Sequence, residues 1–159
     1  MGIENLGLDF DGVLRKWPRF VQWYADFLSP QDILVRAKLF FIRKLINYFC
    51  MQVVPVILDG ELIERIKQLK PKRIIVVSGR YKMEEKREVK TALEKVLHVD
   101  KYYFRDSEKE REEYFKERIL RQEHVTCFIE DRAYVVAYLR SKGFNVKKIS
   151  EVKKDGSAL

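Results

Sequence analysis

The sequence predicts an α/β fold, a three-layer sandwich on a five-stranded parallel Rossmann-like sheet, with a small helical insertion. Three observations predict it. Apolar runs of strand length recur near residues 3–9, 73–78, 101–104, 125–130 and 145–149. Stretches with helical patterning lie before and between the later runs, and repeated βα units of this size give parallel strands with right-handed crossovers. Three of the runs also end in polar groups: Asp9-Phe10-Asp11-Gly12, Ser78-Gly79-Arg80 and Glu130-Asp131. The carboxyl ends of parallel strands are where such sheets form their ligand crevice.

Each element has a local cause. Leu6-Gly7-Leu8 runs as a buried strand into Asp9. A polar turn at Arg15-Lys16-Trp17-Pro18 leads to a helix near 19–28. Ser29-Pro30 ends that helix, because proline fixes its own φ and restricts the residue before it. A second helix is expected over 31–50, with Ile33, Leu34, Leu39, Phe40, Phe41 and Ile42 among its apolar side chains. Arg36, Lys38, Arg43 and Lys44 interrupt it well short of the ~18 charge-free residues of a membrane span. A cap over a site, a surface for homo-oligomer contact and an interfacial helix all remain open for it. Asp59 is expected to cap a helix that Pro71 ends, and helices near 82–97, 107–121 and 132–142 follow, the last stopped by Gly143. The organisation expected is one domain over 1–150 carrying an insertion at 17–55, then a frayed basic tail at 151–159.

At 159 residues, 47% of them hydrophobic, the chain can close one sizeable core. Its formal net charge of +8 favours anionic partners such as phosphorylated metabolites or nucleic acid. A solvated lysine-rich face explains the same charge without any partner. Cys50 and Cys127 make neither a metal-ligand spacing nor a disulfide framework, and a reducing cytoplasmic setting is the expectation. The first strand starts almost at once, so no signal peptide is expected.

Asp9 and Asp11 are the most informative residues. Alternation along a strand puts both carboxylates on one side and Phe10 on the other. Two such acids repel, and burying them is costly unless a cation or a proton is shared. Ser78 at a strand end could equally be a helix N-cap, and Lys116 could be one more i,i+4 partner, for instance to Glu112. His98 and His124 carry no partner spacing, and no role is expected for them.

The order acid–x–acid, hydroxyl, lysine, acid–acid resembles the haloacid dehalogenase (HAD)-like hydrolase superfamily over about Asn5 to Ile149. Asp9-Phe10-Asp11-Gly12-Val13-Leu14 looks like its first motif, Ser78 its second, Lys116 its third and Glu130-Asp131 its fourth. Phe115-Lys116-Glu117-Arg118-Ile119-Leu120, with Ile129-Glu130-Asp131-Arg132, is similar to the phosphatase domain of polynucleotide kinase/3'-phosphatases, although Glu130 stands where that subgroup has an aspartate. Lys109 is the rival third-motif lysine.

The resemblance implies a Mg²⁺-dependent phosphomonoester hydrolase working through an aspartyl-phosphate. Asp9 would be the nucleophile, Asp11 the general acid and base, and Ser78 and Lys116 the groups that hold the phosphoryl. Mg²⁺ would sit on Asp9, the Asp11 main chain, Asp131 and Glu130. Gly12, Gly79 and Arg80 would face substrate, with Arg80 offering a fork to a second phosphate or a polynucleotide backbone. The substrate implied is a nucleotide or polynucleotide 3'-phosphate. A small-metabolite phosphatase and a non-catalytic nucleic-acid or partner-binding protein are the alternatives.

Overall fold

A computed structural model of the chain describes residues 3–16 and 56–154. The insertion expected over 17–55, including the 31–50 helix and its cap or oligomer role, lies outside the described residues. The chain divides into two units, residues 1–15 with 58–159 and residues 16–57. The first unit holds the main sheet. Its strands are β1 (Asn5–Leu8), β4 (Arg73–Ser78), β5 (Lys101–Phe104), β6 (Cys127–Glu130) and β7 (Val146–Lys148), in the order β5-β4-β1-β6-β7. All four pairings are parallel. Two short strands, β2 (Arg15–Lys16) and β3 (Ile57–Leu58), pair separately.

The sheet is parallel because its inner strands are apolar on both faces. Ile74, Ile75, Val76 and Val77 of β4 are all buried, as are Cys127, Phe128 and Ile129 of β6. On one face, Ile75, Val77 and Phe128 pack with Phe115, Ile119 and Leu120 of α3 (Glu112–Gln122) and Val135, Val136 and Leu139 of α4 (Ala133–Ser141). Alternation turns Leu6, Leu8, Ile74 and Val76 to the other face. Leu62, Ile63 and Ile66 of α1 (Gly60–Leu69) and Val89 and Leu93 of α2 (Met83–Glu94) are buried in their turn. The chain runs from β1 outward through β4 to β5, then returns to the other side of β1 for β6 and β7. The order therefore reverses between β1 and β6, and the crevice of such a sheet opens there.

Asp59 caps α1, its Oδ1 accepting from the Leu62 amide at 3.2 Å, and Lys70 ends that helix in the left-handed region at φ 46°. Two expectations need correction. The helix expected from 107 begins at Glu112. Arg105 donates to the Gly79 carbonyl at 2.6 Å and to the Glu110 carbonyl at 2.9 Å, which folds 105–110 into a turn across the end of β4. Of the tail expected to fray over 151–159, residues 151–154 close the helix α5 (Ile149–Lys154), and 155–159 lie outside the described residues. Val152 is buried, its carbonyl accepts from Arg65, and Lys153 pairs with Asp59 Oδ2 at 2.9 Å, so burial and charge both tie the segment down. No helix among the described residues is long and apolar enough to cross a membrane.

Candidate active site

The ends of β1 and β6 are knitted together, the Asp9 amide donating to the Ile129 carbonyl at 3.0 Å. This brings Asp9 beside Glu130 and Asp131, with one oxygen of each within 4.8 Å of the others. Into the group reaches Lys116 from α3, wholly buried. Its Nζ lies 3.2 Å from Asp9 Oδ1, 2.7 Å from Glu112 Oε1 and 2.6 Å from Glu130 Oε2. Burial alone would pull the ammonium down, but Asp9, Glu130 and Glu112 outweigh it and hold Lys116 above its ordinary value. Lys109, the rival, is exposed in the turn before α3. The i,i+4 contact to Glu112 exists as well, so the lysine serves both relationships at once.

Glu130 is fully engaged by protein donors. Its Oε2 takes Lys116, and its Oε1 accepts the amides of Asp131 and Arg132 at 3.2 and 3.1 Å. It braces the turn after β6. Asp131 differs: its Oδ1 is buried and accepts no hydrogen bond from the described residues. Burial, then the neighbouring Asp9, push Asp131 up to about 6. Burial also raises Asp9 well above its ordinary value, against the pull of Lys116.

Among the described residues, Asp9, Glu112, Glu130 and Asp131 outnumber the two cations that touch them, Lys116 and Arg132. A carboxylate oxygen without a donor, in a net-negative buried cluster of hard oxygens, fits a divalent cation such as Mg²⁺. Gly12 adjoins this cluster. Its φ of +81° is a conformation that side chains rarely adopt, and a Cβ there would overlap the Asp131 carboxylate.

Asp11 is placed differently from Asp9. Arg80 grips it as a fork, Nε to Oδ2 and Nη2 to Oδ1, both at 2.9 Å. Arg15 lies 3.7 Å from Oδ1, and Arg80 also bonds Glu88 and lies 5.0 Å over the Phe10 ring. This corrects the expectation that the Arg80 fork holds a second phosphate or a nucleic-acid backbone: the guanidinium is buried and committed to Asp11 and Glu88. The Asp11 carboxylate is turned to Arg80 and stands outside the Asp9–Glu130–Asp131 group. Ser78 is buried at the end of β4, its Oγ accepting from the Arg80 amide at 3.4 Å. It caps no helix, because Lys82 holds the position before α2. Gly79 lets Glu112 close in, since a Cβ there would stand 3.1 Å from the Glu112 carboxyl.

Two chains from structures of the Pnkp1/Rnl/Hen1 complex, in one case described as an RNA repair complex, align with 92% of this chain at TM-scores of 0.58 and 0.59 and identities of 16% and 15%. A hydrolase from Streptococcus pneumoniae TIGR4 aligns over 97% of this chain and 98% of its own, with TM-score 0.56 and 16% identity. The fold is HAD-like. This chain spans only 42% and 46% of the two repair-complex chains. No family model matches it, and neither does any curated protein.

Sequence reasoning passed over three residues that shape the candidate site. Glu112 was visible only as a helical neighbour of Lys116, yet it bridges that lysine to Arg132. Arg132 follows the acid pair directly, and that adjacency was the one available signal. Glu88, the second anchor of Arg80, carries no sequence signal at all.

Proposed function

We propose that this chain is a Mg²⁺-dependent phosphomonoester hydrolase that works through an aspartyl-phosphate on Asp9, with a nucleotide or polynucleotide 3'-phosphate as substrate. The observation that carries it is the buried Asp9 carboxylate at a strand end, touched by Lys116 and grouped with Asp131, whose Oδ1 accepts no hydrogen bond from the described residues. Mg²⁺ would be held by Asp9, Asp131 and the Asp11 main chain, with Glu130 behind them, and would supply the charge that offsets repulsion between carboxylate and phosphate dianion.

Asp9 attacks phosphorus in line, and the bond to the leaving oxygen breaks as Asp11 passes it a proton. Water then attacks the phosphorus of the acyl phosphate, Asp11 takes the water proton, and inorganic phosphate leaves with the Asp9 carboxylate restored. Arg80 positions Asp11 for both steps, and Glu88 positions Arg80. Ser78 and Lys116 hold the phosphoryl oxygens, the lysine being kept in place by Glu112 and Glu130.

The 3'-phosphate reading is supported by the motif resemblance around Lys116 and by the likeness to chains of an RNA repair complex. It draws no support from Arg80. The test is phosphate release from 3'-phosphorylated oligonucleotide, nucleoside 3'-monophosphate and sugar phosphates, with Mg²⁺ and with EDTA. Mg²⁺-dependent release with the highest kcat/KM on the 3'-phosphorylated nucleic acid is expected. Release that EDTA does not affect refutes the mechanism, and preference for a sugar phosphate refutes the substrate.

A further inference from the structure

The seam between α3 and α4 begins at the rim of the pocket. Arg132, its side chain 45% exposed, touches Glu112 there, and the Tyr134 hydroxyl donates to Glu112 Oε2 at 3.3 Å. Tyr134 and Tyr138 lie one turn apart on α4, so they share a face. Tyr114 of α3 meets Tyr138 edge-on, ring centroids 5.4 Å apart at 64°. Cations lie over both rings, Arg111 at 4.6 Å from Tyr114 and Lys142 at 5.4 Å from Tyr138. Four large hydrophobic side chains are exposed among the described residues, and two of them, Tyr134 at 55% and Tyr114 at 48%, lie in this seam.

The acids of the seam are already engaged: Glu113 is buried against Arg111, and Glu117 bonds Tyr138 and Arg121. What the seam offers to solvent is therefore aromatic and cationic, Arg111 being 65% exposed and Lys142 exposed. Aromatic rings interleaved with cations bind single-stranded nucleic acid, because every base has a face to stack and every linkage a charge to meet.

We propose that this seam is the track for a single-stranded polynucleotide whose 3' end enters the Asp9 pocket. The inference rests on the phosphatase reading above and names how its substrate is held. It commits to nucleic acid rather than protein, because the seam's most exposed charged side chains, Arg111, Arg132 and Lys142, are cations and the track leads into a pocket built for phosphate.

The test uses the full chain with 3'-phosphorylated oligonucleotides of increasing length and a nucleoside 3'-monophosphate. kcat/KM is expected to rise about tenfold or more with length and then level off. Tyr114→Ala with Lys142→Ala should lower kcat/KM on the long substrate about tenfold and collapse its advantage over the mononucleotide, whereas Tyr114→Phe, which keeps the ring, retains it. Binding of an unphosphorylated oligonucleotide, followed by fluorescence anisotropy, should fall with salt at a log–log slope of about −2 if Arg111, Arg132 and Lys142 meet phosphates. Turnover independent of length, or a double variant that folds and loses no preference, overturns the track and leaves the phosphatase standing. Anisotropy that depends on Tyr114 and Lys142, with no 3'-phosphate released, upholds the track and removes the phosphatase reading. A homodimer that the double variant dissociates, without oligonucleotide binding by the parent, makes the seam a protein interface and overturns the proposal.

Discussion

Asp9→Asn removes the proposed nucleophilic oxygen and one ionisable group from a cluster rich in buried carboxylate. Turnover should fall to background. The metal-free protein should at the same time melt higher, because Asp9 resists ionisation through burial. Paired activity and thermal-melt measurements check this, and a variant that keeps turnover refutes the nucleophile assignment. Lys116→Met works in the opposite direction. It leaves Asp9, Glu112 and Glu130 facing one another without their shared ammonium, and breaking such a buried arrangement costs about 3–5 kcal/mol. Urea unfolding reads the loss. A cost below about 1 kcal/mol would mean that the lysine contributes little to holding the cluster together.

At the scale of elements, the sheet is pinned at the end away from the pocket by Glu123, just beyond α3. It takes Arg73 from β4 at 2.9 Å and Lys101 from β5 at 3.0 Å, and it also bonds Tyr103. The Tyr103 hydroxyl, then Lys101 and Arg73, hold the Glu123 carboxyl down at about 2, against burial. A depressed carboxylate contributes stability that is present above its unfolded value, 4.5, and lost as pH falls from there toward about 2. Glu123→Gln should therefore cost about 1–3 kcal/mol at pH 7. The gap to the parent should narrow steadily between pH 5 and pH 2, as followed by thermal melts across that range; a gap independent of pH would place the contribution in packing instead. Asp59 ties α1 to α5 in the same manner, as N-cap and as partner of Lys153.

Across the whole molecule, a Mg²⁺ ion held as proposed would compete with protons for the cluster. Without metal, the folded state keeps protons on Asp131, near 6, and on Asp9, at pH values where the unfolded chain, with its ordinary value of 3.8, has shed them. Stability from Asp131 therefore declines as pH rises from about 4 through 6, and Asp9 acts in the same direction. Mg²⁺ should reverse that decline. The gain in Tm on adding Mg²⁺ is expected to be small at pH 5 and to grow toward pH 7.5, as a ligand that binds only the folded state requires. Gly12→Ala should abolish the gain, because its methyl group overlaps the Asp131 carboxylate and its φ disfavours any side chain. A Mg²⁺ effect unchanged by pH or by Gly12→Ala would put the cation elsewhere.

The sheet was legible in the sequence because its signals are local. Ile74 to Val77 cannot be other than buried strand between Pro71 and Gly79, Asp59 announces the helix that it caps, and Asp9 and Asp131 stand at strand ends where a parallel sheet opens. The resemblance in the motifs singled out Lys116, and the tertiary structure showed what holds it, three carboxylates drawn from three elements. Arg80 lay beyond the reach of sequence, since a guanidinium next to Ser78 suits a phosphate as well as it suits Asp11. Only the folded chain, which brings Asp11 and Glu88 of α2 to the same guanidinium, decides between them. The tail shows the same division. Its basic residues read as solvated, but Lys153 finds the buried Asp59 across more than half the chain. Local propensity and pattern determine the elements; which charge meets which is decided by distance in the folded chain, where burial makes each unpaired group costly.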